Sequence, residues 1–378
     1  MKTKKRKVAI LGATGMVGRR FAELLVDHPW FEPAVLVGFK SIGESYERVW
    51  ERKEQLMEEH YGSSIWKQRA FPEKLRGQLV RSFADLLEYD SIDTVFSAVP
   101  AEVGHLEQQL LSNGYRVFSN SPYGRFEKEN PLVIAEVNGD EIINQNFIKS
   151  PNCVTSGLGL ILAPLQEAYG LREVSVVTFQ SISGRGDAKY RQDLIMHNVY
   201  PLDSSDEKTA FYIGAEIKKI FGDSIPLSVS CNRVFVQEGH FVDVKIKTEK
   251  KIEHVSDVAD LLSGFNPIRE MHLPSNPSRP LLVTDEIGRP RPCQDASHGG
   301  GMTVVVGNLS TADDIFDLRL QYVVNNLVRG AAGGAILNAE LYYHKNATAA
   351  PLGSMRQTNP ALIGSMLDGT SSQPTSFR

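Results

Sequence analysis

The chain has 378 residues, 42% of them hydrophobic and 23% charged, the balance of a soluble globular protein long enough for two domains. A formal charge of −4 gives no pull toward nucleic acid or membrane, and no run of about 18 apolar residues is present to cross a bilayer. Three scattered cysteines, Cys153, Cys231 and Cys293, offer neither a disulfide framework nor a C-x-x-C zinc pair, so no metal is expected and a reducing, cytoplasmic location is.

The basic run Lys4-Lys5-Arg6-Lys7 reads as a solvated lead-in to a strand, K-V-A-I-L at 7–11. G-A-T-G-M-V-G follows at 12–18, then a helical pattern through Phe21, Leu24 and Leu25, then a second strand at Ala34–Val37. Strand, glycine turn, helix, strand is a βαβ unit. Residues 44–81 are charged and partly helical and read as a surface insertion without chemistry. Strands at Thr94–Val99 and Arg116–Ser119, with a helix between, continue a parallel, doubly wound sheet. Past Cys153 the pattern changes to long β runs at Val174–Ser181, Leu227–Gln237, His240–Thr248 and Met302–Leu309, which predicts a more antiparallel α+β domain. From Asp313 the spacing of Ile315, Phe316, Leu318, Leu320, Val323, Val324 and Leu327 predicts a helix leading into R-G-A-A-G-G-A-I-L-N-A-E-L. The expected division is therefore 1–152 with 313–345 as a Rossmann-type dinucleotide-binding domain, 153–312 as a mixed-sheet catalytic and dimerisation domain, and 346–378 as an extended or disordered tail.

In the glycine turn, Gly12 permits the tight bend, Gly15 lets a phosphate approach the backbone, and Gly18 lets helix and strand pack closely; Thr14, Met16 and Val17 complete the cofactor-facing turn. An acidic residue after the second strand would favour NAD, but Lys40 and Ser41 stand there, a cation and a hydroxyl suited to the 2′-phosphate of NADP.

S-P-N-C-V-T-S-G at 150–157 places Cys153 where a long apolar helix pattern begins. A helix start lowers a thiol's pKa, and a nearby imidazole lowers it further; the other reading is a small buried hydrophobe. His240, after a strand and a Glu-Gly turn in C-N-R-V-F-V-Q-E-G-H, is the best partner, with Arg233 seven residues earlier suited to gripping a carboxylate.

Together these stretches resemble aspartate-semialdehyde dehydrogenase, an NADP-dependent enzyme of the aspartate pathway to lysine, threonine and methionine. The resemblance runs from about residue 7 to 344, through the glycine turn, S-N-S-P-Y-G-R-F, P-L-V-I-A-E-V-N, P-N-C-V-T, F-Q-S-I-S-G, C-N-R-V-F-V-Q-E-G-H and N-L-V-R-G-A-A-G-G-A-I-L-N-A-E-L. It implies that Cys153 is the nucleophile, His240 the acid/base and Gln180 the group orienting the acyl carbon. It further implies that Arg233 binds the substrate α-carboxylate, Glu216 holds the α-ammonium, and Lys219, Arg125 and Asn152 form the phosphate site. Ser183, Gly184 and Asn326 are implied as cofactor contacts, and a homodimer or homotetramer as the assembly.

Two departures stand out. S-G-R-G-D-A-K-Y replaces the family branch's S-G-A-G-Y-P-G, bringing Arg185, Asp187 and Lys189 beside the nicotinamide region, and G-A-E-I-K-K replaces G-E-E-E-K. The reaction expected is reversible, NADPH-dependent reductive dephosphorylation of aspartyl 4-phosphate through a cysteine thioester. The alternatives are reduction of a related acyl phosphate or of an acyl-CoA such as malonyl-CoA, or a non-catalytic NADP-binding role. Steady-state kinetics of Lys40→Ala should show the KM for NADPH rising far more than that for NADH; equal effects would remove the 2′-phosphate contact.

Overall fold

The computed structural model describes residues 5–187, 190–202, 207–222, 225–311 and 315–347. Six short runs rich in branched and aromatic residues, β1 (Arg6–Leu11), β2 (Phe31–Val37), β3 (Val80–Arg81), β4 (Thr94–Ser97), β5 (Arg116–Ser119) and β6 (Phe147–Lys149), form one sheet in the order β3-β2-β1-β4-β5-β6. Every pairing in it is parallel. Its central strands are apolar on both faces because both faces are covered, as parallel sheets require. The strand order reverses between β1 and β4, and the glycine turn leaves β1 at that crevice, leading into helix α1 (Met16–Leu25).

The 44–81 segment is not the surface insertion its charges suggested. Its end, β3, pairs with β2, and its helix α2 (Tyr46–Tyr61) buries Tyr46, Val49, Trp50, Met57 and Tyr61. Those positions recur at helical spacing, so the charges occupy only the outer face. Glu54 lies on the inner stripe and is buried too, where it accepts from Trp66 Nε1 at 3.1 Å and from Arg19 at 3.3 Å. The segment also reaches the second domain: the backbone of Lys67 exchanges two 3.0 Å hydrogen bonds with the Gln237 side chain.

Helix α3 (Cys153–Tyr169) is apolar almost all round because it is buried between the two halves. Beyond it lie β7 (Leu171–Gln180), β8 (Val199–Pro201), β9 (Leu227–Val234), β10 (His240–Thr248), β11 (Leu281–Val283), β12 (Val304–Thr311) and β13 (Leu318–Val324). They form a mixed sheet ordered β11-β12-β13-β10-β7-β9-β8, with α4 (Thr209–Phe221) leading to β9. The helix expected from Asp313 is therefore a strand at 318–324. Leu318, Leu320, Tyr322 and Val324 are buried at period two, and pairing with β10 and β12 outweighed the partial helical spacing. Residues 318–324 thus belong to the second sheet. The chain returns to the first only from Val328, through a π-helical turn at Val328–Ala332 and helix α5 (Gly333–Ala347), whose Ala335, Ile336 and Leu337 join the core of the first half. The helix runs two residues past the expected end at 345; the rest of the proposed tail, and Lys189, lie outside the described residues. No helix among the described residues is long and apolar enough to cross a membrane.

Trp50→Ala tests whether α2 is part of the core. It should cost about 3–5 kcal/mol of unfolding free energy, measured by urea denaturation, where an appended surface helix would lose less than about 0.5 kcal/mol.

Candidate active site

Strand register assembles the site. In β7 and β9 Gln180 pairs directly with Arg233, and in β10 and β13 His240 pairs with Val324. Phe241 faces Phe179, so His240 follows beside Gln180. Arg233, Gln180 and His240 therefore lie in one row across three neighbouring strands, all turned to the buried face. The start of α3 brings Cys153 to this row, and His240 Nε2 lies 3.0 Å from its sulfur. Two close approaches make that possible. A side chain at Gly330 would come within 2.4 Å of the Cys153 β-carbon, and one at Gly184 within 2.9 Å of the His240 ring and 2.8 Å of Arg233 Nη1.

Asn152 caps α3, its Oδ1 accepting from the Val154 amide at 2.9 Å. The helix start does pull the Cys153 thiol down, as expected, but burial outweighs it. Burial pushes the thiol up to about 11, and the Arg233 charge and the amides of Val154 and Cys153 pull it back only in part. Burial, aided by Arg233, also holds His240 well below an ordinary histidine. The resting pair is thus a neutral thiol against a neutral imidazole. Behind the ring, His240 Nδ1 lies 3.0 Å from the Ser181 amide and 3.1 Å from Ser181 Oγ. Ser181 Oγ in turn donates to Asn326 Oδ1 at 3.0 Å, which also accepts from the Gly239 amide. The Ser181 amide can only donate, so Nδ1 is the accepting nitrogen and the neutral ring carries its proton on Nε2, toward the Cys153 sulfur. Ser181 was not singled out in the sequence; its place directly after Gln180 was the available signal.

The remaining expected residues divide. Gln180 is buried and donates to Thr178 Oγ1 at 3.1 Å. Arg233 donates from Nη1 to the Ser181 carbonyl at 2.8 Å and from Nη2 to Glu207 at 3.0 Å, and its Nε–H is buried without a partner among the protein's atoms. Glu207, absent from the sequence reading, also takes the Tyr190 hydroxyl and lies 3.6 Å from Arg185 Nε. Glu216 is not an open ammonium site as expected. It is fully buried, with one oxygen on Arg125 Nη1 at 2.8 Å and the other on the Asn152 amide at 2.7 Å. Lys219 does not face an open anion site either: its three donors go to the carbonyls of Arg125, Glu127 and Asn130 at 2.6–2.9 Å. Arg125 Nε and the Asn120 side-chain amide are buried without partners among the protein's atoms, so they are the donors a phosphate would find.

At the glycine turn, Gly12 has φ +84° and a side chain there would strike the Ala98 carbonyl at 2.9 Å, while one at Gly18 would strike the Gly12 carbonyl at 2.1 Å. Gly15 is open: an added carbon would meet only the Gly12 carbonyl, at 3.5 Å. It caps α1 without a side-chain cap, and the first turn carries no acid, so the amides of the first turn and the helix dipole face this open side; a dinucleotide pyrophosphate fits there. The Met16 side chain is buried with Ile182 and Leu327, leaving only its backbone to a cofactor, and Thr14 and Val17 are half-buried beside it. Lys40 is exposed, and Ser41 is joined by an unexpected cation, Arg52, at 3.3 Å. Ser183 and Asn326, expected as cofactor contacts, are buried and bonded to each other at 2.9 Å, behind His240. Asp187 pairs with Arg19 and Lys53, tying the departing segment to α1 and α2.

Residues 7–145 match the family model described as semialdehyde dehydrogenase, NAD binding domain, and residues 162–329 the one described as semialdehyde dehydrogenase, dimerisation domain. An aspartate-semialdehyde dehydrogenase of Methanothermobacter thermautotrophicus is 34% identical over 88% of this chain and 98% of its own. A malonyl CoA reductase (NADP) of Metallosphaera sedula is 31% identical over 90% and 97%. The crystal structure of aspartate semialdehyde dehydrogenase with NADP from Candida albicans superposes with a TM-score of 0.77 at 27% identity, covering 91% of this chain and 99% of that one.

Because the thiol stays protonated to higher pH in the fold than in the unfolded chain, the unfolded state ionises first, and this contribution to stability is lost as pH rises from about 9 to about 11. Urea midpoints across that range should fall less steeply in Cys153→Ser than in the parent; parallel declines would show that burial does not hold the thiol.

Proposed function

Since the chain belongs to the aspartate-semialdehyde dehydrogenase family, we propose that it catalyses the reversible, NADPH-dependent reductive dephosphorylation of aspartyl 4-phosphate to aspartate 4-semialdehyde. The observation that carries this reading is the 3.0 Å contact between the Cys153 sulfur and His240 Nε2, on the row that also holds Gln180 and Arg233. Cys153 attacks the acyl carbon, the C–O bond to phosphate breaks, and the thiol proton leaves with the phosphate while the His240 Nε2–H faces the sulfur. Arg125, with its partnerless Nε–H, and Asn120 receive the departing phosphate, while Glu216 holds the Arg125 guanidinium in place. Gln180 orients the acyl oxygen and Arg233 the α-carboxylate. The Gly12–Gly18 turn, with Lys40, Ser41 and Arg52 for the 2′-phosphate, would hold NADPH, which would supply the hydride that reduces the thioester. Sulfur then leaves as thiolate and takes the His240 Nε2 proton, which solvent restores, as the aldehyde is released. Three free cysteines suit a reducing cytoplasm, and the dimerisation-domain match suits a homo-oligomer.

A second reading, reduction of malonyl-CoA, rests on the Metallosphaera relative, 97% of which is covered. NADP⁺ reduction with aspartate, succinate and malonate semialdehydes, each assayed with phosphate and with coenzyme A as acyl acceptor, separates the two. Aspartate semialdehyde should give the highest kcat/KM, and His240→Asn should lower turnover by at least about a hundredfold with cofactor affinity kept. Preference for malonate semialdehyde would favour the second reading, and wild-type turnover in the variant would take His240 out of the mechanism.

A further inference from the structure

Arg233 is held on three sides and open on the fourth. Nη1 donates to the Ser181 carbonyl at 2.8 Å, Nη2 donates to Glu207 at 3.0 Å, and the guanidinium carbon lies 5.0 Å from the centre of the Tyr190 ring. The Nε–H is buried without a partner among the described residues, so this edge is the one left for a ligand carboxylate. Both oxygens of Glu207 are taken, one by Arg233 and the other by the Tyr190 hydroxyl. Burial pushes the Tyr190 phenol up, and the Glu207 carboxylate pushes it further against the Arg233 charge, so the hydroxyl keeps its proton and donates. Tyr190 thus meets Arg233 twice, through its ring and through Glu207.

Tyr190 is itself anchored from α2. Its amide donates to the Tyr61 hydroxyl at 3.4 Å, and His60 Nε2 lies 2.5 Å from its carbonyl. Its ring is buried with Met57, Tyr61 and Trp66. It closes S-G-R-G-D-A-K-Y, the stretch in which this chain departs from the pattern it otherwise resembles. None of the catalytic steps uses it.

We propose that Tyr190 is a positioning residue: through its ring and through Glu207 it locks the Arg233 guanidinium with the Nε edge toward the substrate carboxylate, and so sets the affinity for the aldehyde. The proposal rests on the reading of function above, in which Arg233 takes the α-carboxylate while Arg125 and Asn120 take the phosphate.

Those two ligands give the test its internal control. Initial rates of NADP⁺ reduction, with aspartate semialdehyde and phosphate each varied, should show the KM for the aldehyde raised about tenfold in Tyr190→Phe, the lower end of what one hydrogen bond to a charged group is worth. The KM for phosphate and kcat should be kept. Glu207→Gln should raise the same KM, and the double variant should be no worse than the worse single one, because both act through one guanidinium. An aldehyde KM unchanged in Tyr190→Phe, whatever its kcat, would reduce Tyr190 to a packing residue, and a lower one would show that Glu207 and Tyr190 mask Arg233 rather than aim it. Equal rises in both KM values would place the effect outside the Arg233 grip, and additive losses in the double variant would show two separate actions. Each of these overturns the proposal. A parent enzyme inert toward aspartate semialdehyde with phosphate, yet active on another aldehyde, would instead overturn the functional reading, and this proposal with it.

Discussion

The contact between one sulfur and one imidazole nitrogen depends on the backbone being allowed to come unusually close on both sides. Gly330, in the π-helical turn, passes under Cys153, and Gly184, in the turn after β7, passes under His240 and Arg233. A single β-carbon at either place would overlap atoms of the reacting groups and push thiol and ring apart. The two glycines come from opposite ends of the second half of the chain. The site is thus closed by packing between distant segments, and its geometry is a property of the finished fold.

Buried charge works on the same principle. Arg329 donates to Glu136 at 2.7 Å and to the Met302 carbonyl at 2.7 Å, holding the π-helical turn against the segment before β6. Arg20 on α1 reaches Glu238 at 2.8 Å, in the turn just before His240. Removing one partner of such a pair strands the other, at a cost of about 3–5 kcal/mol. These pairs add modest stability for their number. Their effect is to make alternative placements of the catalytic turn expensive.

Much of this was legible in the residues. The glycine turn, the parallel first half, the strands bearing Gln180, Arg233 and His240, and Cys153 at a helix start all lay in local patterns, and the fold placed them as the patterns implied. What was missed required knowledge of neighbours. Residues 318–324 carry apolar positions compatible with both periods, and only the waiting edges of β10 and β12 decide for a strand. Charge density on α2 hid a stripe of buried aromatics one face away. Glu216 and Lys219 were correctly placed on one helix, but whether their polar atoms point at a ligand or at Arg125 and the 125–130 carbonyls is set by a loop about 90 residues upstream. The thiol's raised pKa likewise reflects burial that no local motif encodes.

The quartet of Arg19, Lys53, Glu54 and Asp187 carries a last implication. Arg19 touches the Thr14 carbonyl at 2.9 Å, Glu54 and Asp187 at 3.3 Å each, and Lys53 meets Asp187 at 2.9 Å, so two positive and two negative groups offset one another, Arg19 and Glu54 deeply buried and Lys53 at the rim. Losing Arg19 or Glu54 leaves a net charge that water reaches poorly. Descendants of this chain should therefore inherit the four positions as a block or exchange them in neutral pairs, and a chimaera that imports the 184–190 loop from a relative without the matching α1 and α2 would carry a stranded ion beside its nucleotide cradle.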